Sequence, residues 1–175
     1  MDKPSNPHSS LDQIPTSYAT VSVGTPSTAL PQKLSAISSA GFKAIELGFT
    51  DLVSFASPHF KKEINDHDFK SLCEAGMEVK KLCEKNKWGI MMLQPFSNFE
   101  GWPEESQERG NAFVRARGWI EIMKAVGTDL LQVRPFTQSF LLPKLLYANH
   151  TLTLHSTGRL IRFPIDIKRP QPYSF

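Results

Sequence analysis

The chain has 175 residues, 40% of them hydrophobic and 21% charged, two cysteines and a formal net charge of +3. That length can bury a core, but it falls short of the roughly 250 residues of an eight-stranded (β/α) barrel. Six of the 20 basic residues but one of the 17 acidic ones lie from Arg134 onward, so the basic excess is a dispersed property of the tail and predicts no nucleic-acid partner.

Residues 1–17 are polar, Pro-rich and aperiodic and read as a disordered leader. Tyr18–Val23 is β-branched and aromatic, a first strand closed by Gly24. Leu30, Leu34 and Ile37 repeat at helical spacing over Pro31–Ala40, with Pro31 in the first turn and Gly41 as the stop. Lys43–Leu47 predicts the second strand, and Thr50–Asn65 a long connection. Asp66 or Asp68 caps a second helix, whose apolar stripe is Phe69, Leu72, Cys73, Gly76, Val79, Leu82 and Cys83. The two cysteines, ten residues apart on that helix, lie about 15 Å apart and cannot form a disulfide. Trp88–Leu93 is the third strand, ended by Gln94 and Pro95. Ser106 caps a third helix with Phe113, Ala116, Ile120 and Met123 inward and Gly127 as its end. Leu130–Val133 is the fourth strand.

The order β-α-β-α-β-α-β predicts an α/β fold with a parallel sheet and right-handed crossovers. The expectation is a partial (β/α) TIM-type barrel of about four parallel strands and three helices. A doubly wound flavodoxin-like sheet is the runner-up, distinguished by helices on both faces. After Val133 the pattern stops. An apolar SFLLPKLLY is followed by Thr151–His155 and Arg159–Phe163, which suit a hairpin around Ser156-Thr157-Gly158. Residues 134–175 are therefore expected to be an irregular tail, from a shifted frame, intron read-through or truncation. No run approaches 18 apolar residues and the N-terminus lacks a signal-peptide core, so a cytoplasmic protein without membrane contact is expected.

The stretch after the third strand mixes aromatic and polar groups: Gln94, Phe96, Ser97, Asn98, Phe99, Glu100, Gly101 and Trp102. Ligands of parallel α/β folds bind at the carboxyl ends of strands. Together with Ala44-Ile45-Glu46-Leu47-Gly48 before it and Gly127-Thr128-Asp129-Leu130-Leu131-Gln132-Val133 after it, this stretch resembles the xylose-isomerase-like TIM-barrel superfamily over about residues 18–133. It looks most like fungal sugar phosphate isomerase/epimerase and 3-dehydroshikimate dehydratase-like proteins. The resemblance implies a metal-dependent lyase or isomerase acting on a small polyhydroxylated carbonyl compound, with the dehydratase slightly ahead. A non-catalytic remnant or interaction module is the competing class.

Glu46, Gln94, Phe96 and Trp102 are the candidate substrate-binding residues. Glu46 either contacts ligand or pairs structurally, and Gln94 either orients a hydroxyl or carboxylate or is a satisfied buried amide. Phe96, Phe99 and Trp102 either wall a pocket or pack over the barrel end. No residue is assigned as catalytic or metal-ligating. His59 and His67 read as loop histidines, and Gly24-Thr25-Pro26-Ser27 lacks the lysine of a phosphate loop. In intact members of the resembled family a divalent metal is held from the second half of the barrel. This chain is expected to bind none, to be inactive as written, and to self-associate through an open barrel face.

Overall fold

A computed structural model of the protein describes residues 16–134 and 159–162. Strand β1 spans Ser17–Ala19, and Thr20–Ser22 then turn as a short 3-10 helix, so the strand expected over Tyr18–Val23 is shorter and starts one residue earlier. The cause is Thr20, fully buried, whose hydroxyl accepts the Gly48 N–H at 2.9 Å. A side chain takes the donor that a longer β1 would have paired, and the ladder ends there.

Helix α1 (Leu30–Ser39) carries Pro31 in its first turn and buries Leu34 and Ile37. Gly41 follows at φ 91°, in the left-handed region. Strand β2 is Ala44–Gly48. Directly after it comes α2, Phe49–Phe60, which corrects the expectation of a long connection over Thr50–Asn65. Phe49, Leu52 and Ala56 give this helix a buried stripe, and Pro58 sits in its last turn, where the missing N–H removes a single bond at the end of the helix. Packing, not propensity, makes the segment helical.

Helix α3 (Phe69–Lys85) starts where the Asp68 carboxylate accepts the Ser71 N–H at 3.1 Å. Strand β3 (Gly89–Phe96) runs on through Gln94 and Pro95, past its expected end. Helix α4 (Gln107–Val126) is capped by Ser106, which accepts the Arg109 N–H at 3.2 Å, and ends at Gly127, φ 83°. Its inward face is rotated only in part from the expected one, since Met123 is buried and Ala116 packs against the core as expected. Ala112, Gly118, Trp119, Ile122, Met123 and Val126 are buried, whereas Phe113 is 45% exposed. Gly118 explains the rotation: a Cβ there would collide with the Phe69 ring, so α4 presents its glycine to α3. Strand β4 is Leu130–Val133, and β5, Arg159–Arg162, pairs antiparallel with it. Thr151–His155, the other arm of the expected hairpin, lies outside the described residues, as do residues 1–15, 135–158 and 163–175.

The sheet order is β1-β2-β3-β4-β5, with β1 to β4 parallel. Neighbouring parallel strands joined in sequence by right-handed crossovers place every connecting helix on the same face. Each helix packs on the next one along the chain, which is the barrel arrangement and not the doubly wound one. Ile45, Leu47, Leu93, Leu131 and Val133 point into the helix-side core with Leu52, Leu72 and Ile122. Side chains alternate along strands, so Ser17, Glu46, Met92, Gln94, Leu130 and Gln132 belong to the opposite, open face.

Candidate functional site

Glu46 lies in β2 and accepts two hydrogen bonds across strands. Ser17 Oγ donates to Oε1 at 3.1 Å from β1, and Gln94 Nε2 donates to Oε2 at 3.0 Å from β3. Ser17 also lies 3.0 Å from the Met91 sulfur. Gln94 is 7% exposed. A carboxylate only accepts, so Glu46 fixes the amide with its nitrogen inward and its oxygen turned away. After these bonds the trio offers mostly acceptors, the Gln94 carbonyl, the Ser17 lone pairs and the unused lone pairs of Glu46, together with the second amide N–H of Gln94. Such a surface is suited to hydroxyls, which both donate and accept.

Two of the four sequence-derived candidates are thus brought together. Phe96 is not with them. The pairing of β3 with β4 is irregular between Leu93 and Phe96, and one extra residue moves a side chain to the other face. Phe96 is consequently 2% exposed in the helix-side core, packed on Trp119 at 4.9 Å and on Phe99 at 5.7 Å between ring centroids. Trp119 in turn stacks on Phe49 at 4.2 Å. Trp102 is half-buried in the β3–α4 loop, its indole N–H donating to the Asn98 carbonyl at 3.1 Å. That carbonyl also accepts from Arg115 Nη2 at 2.8 Å, and the same nitrogen donates to the Ser97 carbonyl. The Arg115 guanidinium lies 5.0 Å from the Phe96 ring centroid, and burial lowers its pKa below the usual arginine range. Phe96 and Arg115 therefore hold the loop in place, and Glu100 is exposed.

The sequence reading missed two polar features. Ser17 fell in the supposed leader. Lys33 and Asp51 form a buried ion pair at 2.8 Å, with side chains 2% and 7% exposed, joining α1 to α2. Asp51 Oδ2 is buried without a partner among the described residues. Lys33 occupies the helical stripe Leu30, Lys33, Leu34, Ile37, a lysine on an apolar face, and that spacing was the available signal. Cys83 is buried and its thiol pKa is pushed up to about 12 by desolvation; Cys73 is shifted upward for the same reason.

No group of three or more His, Cys, Asp or Glu side chains among the described residues could hold a metal ion. Glu46 faces an amide and a hydroxyl, not a second carboxylate, so these residues do not fit the divalent site implied by the barrel family. No helix among them is long and apolar enough to cross a membrane. A cavity of about 330 Å³ lies between Trp88, Ile90, Val126 and Leu130. It opens at the amino ends of β3 and β4, the end of such folds associated with stability and not with ligands.

Residues 34–151 match the sequence profile of the xylose isomerase-like TIM barrel. The chain belongs to that family. It is 34% identical over 118 residues to a 3-dehydroshikimate dehydratase of Pseudomonas aeruginosa, and 32% identical over 118 residues to one of Pseudomonas putida. Each alignment covers 67% of this chain and 15% of the relative. A 3-dehydroshikimate dehydratase of Neurospora crassa is 26% identical over 107 residues, 59% of this chain and 29% of the relative. Among solved structures, a xylose isomerase-like TIM barrel/4-hydroxyphenylpyruvate dioxygenase fusion protein superposes with a TM-score of 0.52 at 28% identity, covering 70% of this chain and 16% of that one. The chain therefore spans under a third of the length of these relatives, and the matched stretch includes β2, β3, β4 and the helices between them.

Proposed function

We propose that this chain forms the ligand-binding first half of a barrel of the 3-dehydroshikimate dehydratase type, and that it binds a small polyhydroxylated carbonyl acid at the carboxyl ends of β2 and β3. The observation that supports the reading is the Gln94–Glu46 hydrogen bond on the open face. It holds a carboxylate and an amide side by side on that face, a pair suited to ligand hydroxyls. The names of the relatives favour the dehydratase substrate over a sugar phosphate. On this reading the described residues bind and orient a ligand, hold no divalent metal, and carry out no dehydration by themselves.

The test is calorimetric titration of the purified chain with 3-dehydroshikimate, alongside an absorbance assay for protocatechuate in the presence of Mg²⁺, Mn²⁺, Co²⁺ or Zn²⁺. Binding without product is expected. Removing a hydrogen bond to a charged group costs about 1.5–3 kcal/mol, so E46Q and Q94L should each weaken binding by roughly tenfold to a hundredfold. Metal-dependent product formation by the wild-type chain, or full-strength binding by both variants, contradicts the proposal.

A further inference from the structure

Arg134 follows the last residue of β4, and its backbone N–H still donates to the Phe96 carbonyl at 2.8 Å. This is the bond a regular parallel ladder makes after the Phe96–Val133 pair. Val133 points into the helix-side core. The residue after it therefore turns to the opposite face, the one that holds Gln132 and Gln94. Arg134 is exposed, at the carboxyl edge of the sheet. Phe96 pairs with Val133, and β3 carries one extra residue between Leu93 and Phe96. Arg134 then lies one strand across, one residue beyond Phe96 and three beyond Gln94 counted along β3. With ~4.8 Å between strands and ~3.3 Å per residue, the two α-carbons are roughly 8–11 Å apart.

We infer that Arg134 is a specificity-determining residue that binds the carboxylate of the ligand whose hydroxyls are held by Glu46 and Gln94. The inference rests on the function proposed above and assigns the two ends of its ligand. On one side the surface offers the Glu46 carboxylate and the Gln94 amide, fixed by the Glu46–Gln94 bond, which suit hydroxyls. On the other side it offers a guanidinium, whose planar fork pairs with a carboxylate through two parallel hydrogen bonds. A six-membered ring bearing a carboxylate at one end and hydroxyls at the other matches this polarity and span. The same guanidinium would also accept a phosphate, so the ligand series has to separate the two anions.

The experiment titrates the full chain and its R134M variant with 3-dehydroshikimate, with the methyl ester of 3-dehydroshikimate and with xylulose 5-phosphate. The expected result is that the wild-type chain binds the acid at least tenfold more tightly than the ester. R134M should bind acid and ester alike, with ester affinity within twofold of wild type. R134K should recover only part of the preference, because an ammonium lacks the fork. Unchanged ester binding also shows that R134M is folded. A preference for the acid that survives in R134M overturns the inference while leaving the proposed function standing. Arg134-dependent binding of xylulose 5-phosphate in preference to the acid overturns the assignment of the anion as a carboxylate. Binding of none of the three removes the proposed function, and the inference with it.

Discussion

Lys33 shows how one buried charge can organise a strand edge. Its ammonium meets Asp51 at 2.8 Å with both side chains out of solvent, beside Gly48 and the buried Thr20. Truncating the lysine leaves a carboxylate uncompensated, which in buried pairs costs about 3–5 kcal/mol. Urea unfolding of K33M should show a loss of that order, and K33M/D51L should recover most of it. A K33M loss below about 1 kcal/mol would mean that the pair behaves as a surface ion pair. Asp68 makes a different prediction. Its pKa is lowered by hydrogen bonds with Ser71, side chain first and then backbone, and by Lys62. Its folded pKa lies below the unfolded one, so its contribution is complete above the unfolded value and is lost as pH falls through the folded value. D68N should therefore be less stable than wild type at pH 7 and should show a shallower decline in stability below about pH 4. Identical acid limbs for the two proteins contradict this role for the cap.

Among the helices, the contact between α3 and α4 depends on a residue with no side chain. Gly118 faces the Phe69 ring, and Gly76 faces Val126, whose nearest carbon lies 2.9 Å from where a Cβ would be. Overpacking a filled core typically costs about 1–3 kcal/mol. G118V should lower the unfolding midpoint accordingly, whereas G110A, at a position with nothing within 4 Å, should be neutral or stabilising because alanine favours a helix by about 1 kcal/mol. Equal effects of the two substitutions would show that the helices are not in close contact at Gly118. The helix ends were legible in the sequence because capping is local chemistry: Asp68, Ser106, Gly41 and Gly127 all act where the residue types suggested. Helix α2 was not legible. It has no side-chain cap and carries a proline in its last turn, and its helicity depends on burial against elements distant in sequence. On α4, Met123 and Ala116 face the core as expected, but Phe113 does not, since an apolar residue outranks a glycine in any pattern count while packing needs Gly118.

At the scale of the whole molecule, the four parallel strands in sequential order, with helices on one side, were readable from the alternation of apolar runs and helical stripes. The arrangement of the candidate site was readable only in part. Glu46 and Gln94 stand out because each is a polar residue inside a strand of apolar ones. Their mutual bond depends on the β2–β3 register, which shifts between Ile45 and Glu46 and cannot be counted from sequence. Phe96 is turned into the helix-side core by the same kind of irregularity one strand over, and the face of Arg134 becomes visible only once the β3–β4 ladder is known.

The central claim, that the open face of β2 to β4 is where ligand binds, is tested most directly by methionine methyl resonances. Met91 and Met92 lie on β3 beside Ser17 and Glu46, Met77 is exposed on α3 and Met123 is buried in the helix-side core. Titrating the ¹³C-methyl-methionine chain with 3-dehydroshikimate should shift Met92 and Met91 in a saturable way and leave Met77 and Met123 in place. Saturable shifts at Met77 or Met123, with Met92 unmoved, would contradict the account.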